Sequence, residues 1–295
     1  MISNNSTNPE LDRHTFGKDP TWSAVTADRD DKRAWLRNAH LCPSLAPFNI
    51  LHCGHLSTEG ELEVSRHNQS GSYVMLTLAG RGDVLIDGNW REIHPGQLVL
   101  LPPFMPNLFR SGKHAWEFCW VRYLATPGQR PVVSSESPVC QPTEDTGLRH
   151  AIDGLHQASG NQADPAAQRL WVELIHHYVE SFTEPENRDE RLWKMWQSVC
   201  EDLAYPWTLH ELAGLSNLST EHLRRLCHKQ LGRSPMQHLI FLRMRAAQHL
   251  LATTSDKIET VGCAVGYSHP FTFSNTFAKW MGCRPSAVRG SIGPG

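Results

Sequence analysis

Residues Thr208–Pro235, TLHELAGLSNLSTEHLRRLCHKQLGRSP, and residues Lys257–Pro285, KIETVGCAVGYSHPFTFSNTFAKWMGCRP, write one pattern twice. Leu223, Cys227, Leu231, Gly232 and Pro235 stand fifty positions before Phe273, Phe277, Met281, Gly282 and Pro285, an internal repeat of one small module. In the first copy Leu209, Leu212 and Ala213 have the i, i+3, i+4 spacing of a buried helical face, and Gly214–Asn217 interrupts it. Ser219 can cap a second helix that turns Leu223, Leu226 and Cys227 inward and Glu221, Arg224, Arg225 and Lys229 outward. Gly232 and Pro235 end that helix. The second copy repeats the plan with Ile258, Val261 and Gly262, a turn at Gly266–Ser268, and a helix that buries Phe273 and Phe277. Pro270 falls in its first turn, where a missing N–H costs nothing. Leu239, Leu242, Ala246, Ala247 and Leu250 then predict one long amphipathic helix joining the modules.

From about Trp207 to Arg289, and above all at Gly232–Pro235, Arg243–Leu251, Gly266–Tyr267 and Gly282–Arg289, the chain resembles the DNA-binding domain of AraC/XylS-type transcription regulators. The resemblance implies two recognition helices held about one DNA turn apart, entering successive major grooves of double-stranded DNA. By position it assigns Glu221, Arg224, Arg225 and Lys229 on the first helix, and Phe271, Thr272, Asn275 and Lys279 on the second, to the DNA. Arg can fork onto guanine O6 and N7 and Asn onto adenine N6 and N7, whereas Phe271 offers only apolar contact. The first helix is therefore expected to read G-containing steps firmly and the second to read more weakly. The alternative for Arg224 and Arg225 is a pair of solvated helix charges. Cys227 stands where the family has an aromatic residue; it, Cys263 and Cys283 read as small buried hydrophobes.

The chain has 295 residues, enough for two domains. Its net charge of −2 is unevenly spread. From Arg188 onward there are 13 Lys plus Arg against 8 Asp plus Glu, whereas the first 187 residues hold 15 against 22. The positive half is the half with the repeat, as phosphate contact requires. No run of eighteen apolar residues exists, and MISNNSTNPELDRHTFGKDP lacks both the basic start and the apolar core of a signal peptide. A cytoplasmic protein with no membrane partner is expected. Eight cysteines without a Cys-x-x-Cys pair point to free thiols.

Residues 1–20 are polar and read as a mobile arm, and 21–142 as a β-rich domain. Within the latter, strands are predicted at Ile50–Cys53, Glu61–His67, Tyr73–Leu78, Asp83–Asp87, Gln97–Leu101, Asn107–Phe109 and Trp116–Tyr123, with turns at Asp87–Gly88 and Pro95–Gly96. Short strands at this spacing suit a jelly roll or barrel. LAGRGDVLIDGNWREIHPGQLVLLPPFMPNLF and AWEFCWVRY resemble the cupin-like ligand domain of the same regulator family. The fold class is thus α+β multidomain: a cupin-like barrel with a helical dimerisation segment, then an all-α double helix-turn-helix domain.

That resemblance places a small-molecule effector, a sugar by preference, in the barrel. Trp120 matches the stacking tryptophan of the sugar-binding members. Trp116 precedes it by four residues in a strand of period two, so both face one side, and Phe109 and Asn107 match pocket positions. The alternative is that the tryptophans are core. Where arabinose-binding members carry a ligand-gripping arginine, this chain has Ala79, with Arg81 two positions on between Gly80 and Gly82. No metal and no other cofactor is expected: His52, Cys53 and His55 are close in sequence, but the position after Met105–Pro106 is Asn107 and the rest of a cupin ligand set is missing.

Beyond Pro142 the pattern turns helical. Leu148, Ile152 and Leu155 line one helix, and a second carries Leu170, Trp171, Leu174, Ile175, Tyr178 and Phe182. This stripe is too apolar for solvent. It could pack on its own barrel, but the resemblance implies a dimer contact through Leu170, Trp171, Leu174, Ile175 and Tyr178. The segment 143–182 is accordingly the dimerisation unit, 183–190 (with TEPENRD) the linker, and 191–295 the DNA-binding domain.

The expected function is a homodimeric, effector-controlled, sequence-specific regulator of transcription, an activator touching RNA polymerase, and not an enzyme. The rivals are a constitutive DNA-binding protein whose barrel is only a scaffold, and a cupin-type isomerase or oxygenase fused to a DNA-binding tail.

Overall fold

A computed structural model describes residues 13–17, 20–28, 34–67, 71–103, 105–124, 139–143, 147–160, 163–183 and 189–289. Two facing sheets form the N-terminal half. The first holds β1 (Arg13–Phe16), β5 (Leu62–Arg66), β10 (Asn107–Arg110), β7 (Gly82–Ile86) and β8 (Asn89–Ile93), in that order. The second runs β12 (Val139–Pro142), β9 (Gln97–Leu101), β6 (Gly71–Gly80), β11 (Trp116–Leu124), β4 (Ile50–Thr58), β2 (Thr21–Thr26) and β3 (His40–Leu41). All pairings are antiparallel except that of β2 with β3. The expected barrel is an open one, because among the described residues no ladder of hydrogen bonds joins the two sheets.

All seven expected strands are present, most of them longer than the sequence indicated. Those not expected are β1, β2, β3, β8 and β12. Strand β1 lies inside the segment read as a mobile arm; Arg13–Phe16 pair with Ser65–Leu62, so the arm reading does not hold there. Residues 1–12 and 18–19 of the arm and 184–188 of the linker lie outside the described residues.

The packing is layered. Alternation along β11 sends Cys119, Val121 and Tyr123 to one face and Phe118 and Trp120 to the other. The first face is covered by α1 (Gly147–Ala158) and α2 (Pro165–Thr183), whose Leu148, Ile152, Leu155, Val172, Ile175 and Val179 are fully buried against it. The second face looks across an aromatic interior at the first sheet. Burial pushes the Cys119 thiol up to about 12, which fits an inert core residue.

The stripe read as a dimer face is largely spent inside the protomer. Ile175 is buried in the core between α2 and the sheet. Trp171 lies over Gly154 and Tyr178 over Gly147, where a Cβ would meet the rings at 2.6 Å and 2.3 Å, and Leu174 is partly buried in the same cluster. Only Leu170 stands out, 64% exposed. A stripe of period 3.6 shows that a helix face is covered without showing by what.

The C-terminal half is helical: α3 (Glu190–Glu201), α4 (Leu209–Ser216), α5 (Thr220–Leu231), α6 (Pro235–Thr253), α7 (Ile258–Ala264), α8 (Pro270–Met281) and α9 (Pro285–Arg289). Helices α4–α5 and α7–α8 are the two modules. Thr208 closes a capping box with Glu211, Ser219 accepts from the His222 N–H, and Gly232 and Gly282 end α5 and α8 at φ 69° and 70°. Leu223 and Cys227 in α5, and Phe273 and Phe277 in α8, are fully buried, as expected. Cys263 is exposed instead of buried, because it lies on the outer side of α7 away from Val261 and Gly262, and Cys283 is only half-buried.

Candidate functional site

Between the two sheets lies a cavity open to solvent. Trp120 of β11 and Phe109 of β10 line it, as the sequence proposed. The Trp120 indole N–H donates to Nδ1 of His52 at 2.8 Å, and Gly54 makes room for the ring, since a Cβ there would sit 2.7 Å from it. An indole can only donate, so Nδ1 of His52 accepts and the proton of the neutral ring sits on Nε2.

The other two expected pocket residues do not line the cavity. Trp116 is 1% exposed and packs edge-on to Phe109 at 6.0 Å, its N–H donating to Thr77 Oγ1 at 3.2 Å and its ring filling the notch beside Gly82. It faces the same interior as Trp120, but one strand residue in two reaches the interior all along the strand, and only part of that interior is hollow. Asn107 is fully buried behind Phe109, opposite Arg66 in the β5–β10 register.

Arg66 is the residue the sequence reading missed. It lines the cavity while only 6% exposed, with its guanidinium 5.1 Å from the Trp35 ring, 5.2 Å from Tyr73 and 5.9 Å from Phe109, and its Nε donating to His14 Nε2 at 2.9 Å. The signal was present: Leu62, Val64 and Arg66 alternate, which puts the arginine on the inward face of a half-buried strand. Arg81 is elsewhere. It pairs with Glu92 at 3.2 Å and His114 at 2.9 Å near the surface, because Gly80 at φ 69° has already turned the chain. Among the described residues His52, Cys53 and His55 do not converge: His52 faces the cavity, Cys53 the opposite core, and His55 pairs with Glu117 at 2.9 Å.

The side chains assigned to DNA stand on the outer faces of α5 and α8. Glu221, Arg224, Arg225 and Lys229 are exposed, as are Thr272, Asn275 and Lys279, and Phe271 is 77% exposed although large and apolar. Arg224 approaches Glu221 at 3.6 Å, a loose surface pair that DNA could displace. The intervening α6 has 19 residues, which at 1.5 Å per residue is roughly 28 Å, close to one turn of duplex. Arg243 locks α6 to the segment after α3, donating to the Leu203 carbonyl at 3.0 Å and the Tyr205 carbonyl at 2.8 Å, and burial holds its pKa below the usual arginine value.

The cavity and the DNA-binding modules share a wall. On β10, Phe109 points into the cavity while its neighbour Leu108 reaches outward to the place a Cβ at Gly282 would occupy. Met105, just before β10, packs into the core of the helical domain. On β5, Arg66 faces the cavity and the carbonyl of the next residue, His67, accepts from Gln248 of α6 at 2.6 Å. The Asp87–Gly88 turn, with φ 51° and 73°, presents the Asp87 carboxylate to Arg233 at 3.1 Å in a buried ion pair, and the Lys279 stem lies against Gly88. Nothing local in the sequence marks these contacts.

Two families match the chain: the AraC-like ligand binding domain over residues 51–177 and a helix-turn-helix domain over residues 212–291. The MmsAB operon regulatory protein of Pseudomonas aeruginosa is 28% identical over 82% of this chain and 82% of its own length. The arabinose operon regulatory protein of Escherichia coli is 27% identical over 85% of this chain and 90% of its own. The lactose operon transcription activator of Staphylococcus xylosus is 25% identical over 83% and 93%. With a ligand-binding sandwich and a doubled helix-turn-helix matched in that order along one chain, this protein belongs to the AraC-type transcription regulators.

Proposed function

We propose that the protein is a homodimeric, cytoplasmic regulator that recognises promoter half-sites through α5 and α8, takes a sugar in the inter-sheet cavity, and activates transcription in contact with RNA polymerase. The observation that carries this reading is the shared wall, since a ligand against Phe109 and Arg66 rests on the same two strands that hold the helical domain. For control to result, the ligand must favour one arrangement of the domains over another. The Trp120 and Phe109 faces suit the C–H face of a sugar ring, and two relatives are named for arabinose and lactose operons, one of them as an activator. Dimerisation would use the outward side of the helix pair, where Leu170 is exposed. No helix of the described residues is long and apolar enough to cross a membrane.

Binding of the full chain to its operator, measured with a panel of pentoses, hexoses, uronic acids and small disaccharides, tests the reading. One class of sugar is expected to shift operator affinity. Trp120→Ala should abolish that shift and leave basal DNA binding intact. A response that survives in Trp120→Ala with unchanged ligand affinity would sink the pocket assignment, and a silent panel with intact DNA binding would favour the scaffold reading. Arg224→Ala or Arg225→Ala should cost roughly 1–3 kcal/mol at a specific operator and relax preference at one base position. Uniform weakening on all sequences would make them phosphate contacts instead.

A further inference from the structure

We propose that Phe271 makes α8 a reader of the 5-methyl group of thymine, so that the half-site under this helix is selected by an apolar contact in the major groove and also answers to methylation of cytosine at C5. The inference rests on the preceding reading that α8 recognises DNA, and deepens it by naming what the helix recognises there.

The first observation is exposure. Phe271 is 77% exposed, the most of any large apolar side chain among the described residues. The helix already has an inner face: Phe273, Phe277, Trp280 and Met281 are buried, whereas Phe271, Thr272 and Asn275 are exposed. A phenyl ring held in water gains free energy from any apolar group that covers it.

The second is position. Pro270 opens α8 and Phe271 follows it in the first turn. Helical side chains lean toward the N-terminus of their helix, the end that recognition helices present to base edges. The sandwich meets the opposite end. It touches α8 in the last turn, where the Lys279 stem lies against Gly88, and just beyond, where Gly282 lies against Leu108. Phe271 precedes Lys279 by roughly 12 Å along the axis.

The third is the chemistry left to α8. Its residues, PFTFSNTFAKWM, include no arginine and no acid, and Lys279 is in the last turn. The fork that reads guanine and the carboxylate that takes a hydrogen bond from cytosine are therefore absent from this helix, whereas α5 has Arg224, Arg225 and Glu221. Asn275, one turn after Phe271 on the same face, can fork onto adenine N6 and N7. The apolar group that the bases offer in the major groove is the thymine methyl. An A·T-rich step suits both side chains: Asn275 takes the adenine edge and the Phe271 ring covers the methyl. 5-Methylcytosine carries its methyl on the same carbon, so methylation gives a C·G pair the group that the ring covers.

The test starts from a duplex that the full chain selects out of a random-sequence library. Each thymidine is then replaced in turn by deoxyuridine, which removes only the methyl and keeps the base pair. At one position the replacement is expected to weaken binding about fourfold, the effect of uncovering one methyl. Phe271→Ala should bind the thymidine and deoxyuridine duplexes alike at that position. With cytosine placed there, C5 methylation should strengthen binding of the unaltered chain by a similar factor and leave Phe271→Ala indifferent. The contrast between thymidine and deoxyuridine is read on the unaltered protein, so it does not depend on how the variant folds. Indifference to every deoxyuridine, with binding to the selected duplex intact, would overturn the inference and leave α8 as a DNA-reading helix. A thymidine preference that survives in Phe271→Ala would overturn it as well, because another side chain would then cover the methyl. Unchanged DNA affinity in Phe271→Ala with lost transcription by RNA polymerase would give the ring to the polymerase and overturn it. Failure to enrich any sequence would overturn the DNA-binding reading itself, and the inference with it.

Discussion

Arg233→Ala is expected to weaken the docking of the helical domain on the β-sandwich by up to roughly 3–5 kcal/mol. The side chains of Arg233 and Asp87 are 1% and 4% exposed, and the ion pair at 3.1 Å joins residues that belong to different domains. Removing the cation leaves the carboxylate of a rigid type I′ turn buried without it, and also removes the guanidinium stacked 4.2 Å from Phe241. The domains can answer by separating, so the measured loss is capped by the docking energy. Hydrogen exchange at Leu108 and Gly282 and protease sensitivity after Thr183 should both rise. If Asp87→Asn combined with Arg233→Met restores docking, the ion pair supplies register more than stability. No change in Arg233→Ala would mean that the packing of Met105 and Leu108 and the Gln248–His67 hydrogen bond hold the interface without the ion pair.

Phe277→Ala should destabilise the second module by about 3–5 kcal/mol, while Cys227→Ala, at the matching position of the first, should cost about 1 kcal/mol. Both side chains are completely buried. The difference is one of volume: Phe277 packs on Phe273 at 5.8 Å and plugs α8 against α7, whereas Cys227 fills a smaller gap. A domain of this size has few kilocalories in reserve, so Phe277→Ala should lose α8 as a reading element. Denaturant unfolding should show the loss of stability, and the DNA footprint should shrink from two adjacent major-groove contacts to one. Equal effects of the two substitutions would contradict the asymmetry of the modules.

What the sequence disclosed and what it withheld divide along a physical line. Elements with strong local signals were legible: the caps at Thr208 and Ser219, the stops at Gly232 and Gly282, and the apolar runs of β6, β9 and β11, buried on both faces, all announce themselves within a few residues. Strand β8 did not, because four of its five residues are exposed and it carries no inward alternation to see. Strand β1 was hidden in a polar stretch that becomes a strand only by pairing with β5. The cavity was half legible. Position in a resemblance marks Trp120 and Phe109, whereas Arg66 is marked only by its alternation with Leu62 and Val64, which puts it on the inward face. A dimer face was read where Trp171 and Tyr178 fill notches at Gly154 and Gly147, since periodicity cannot tell an internal partner from an external one. Contacts between Asp87 and Arg233, or His67 and Gln248, separate residues by more than a hundred positions and have no local mark.

Met105 has a consequence for how such proteins can diversify. Its side chain belongs by sequence to the sandwich but by packing to the helical core, so the boundary between the domains is crossed by a residue that neither half owns. Exchanging the DNA-binding half for that of another regulator would set this methionine, the Asp87 turn and Leu108 against a foreign socket. Recombination among these genes would therefore succeed most readily when the socket travels with the peg, and a new operator preference would be acquired more cheaply by substituting the exposed faces of α5 and α8 than by trading whole domains.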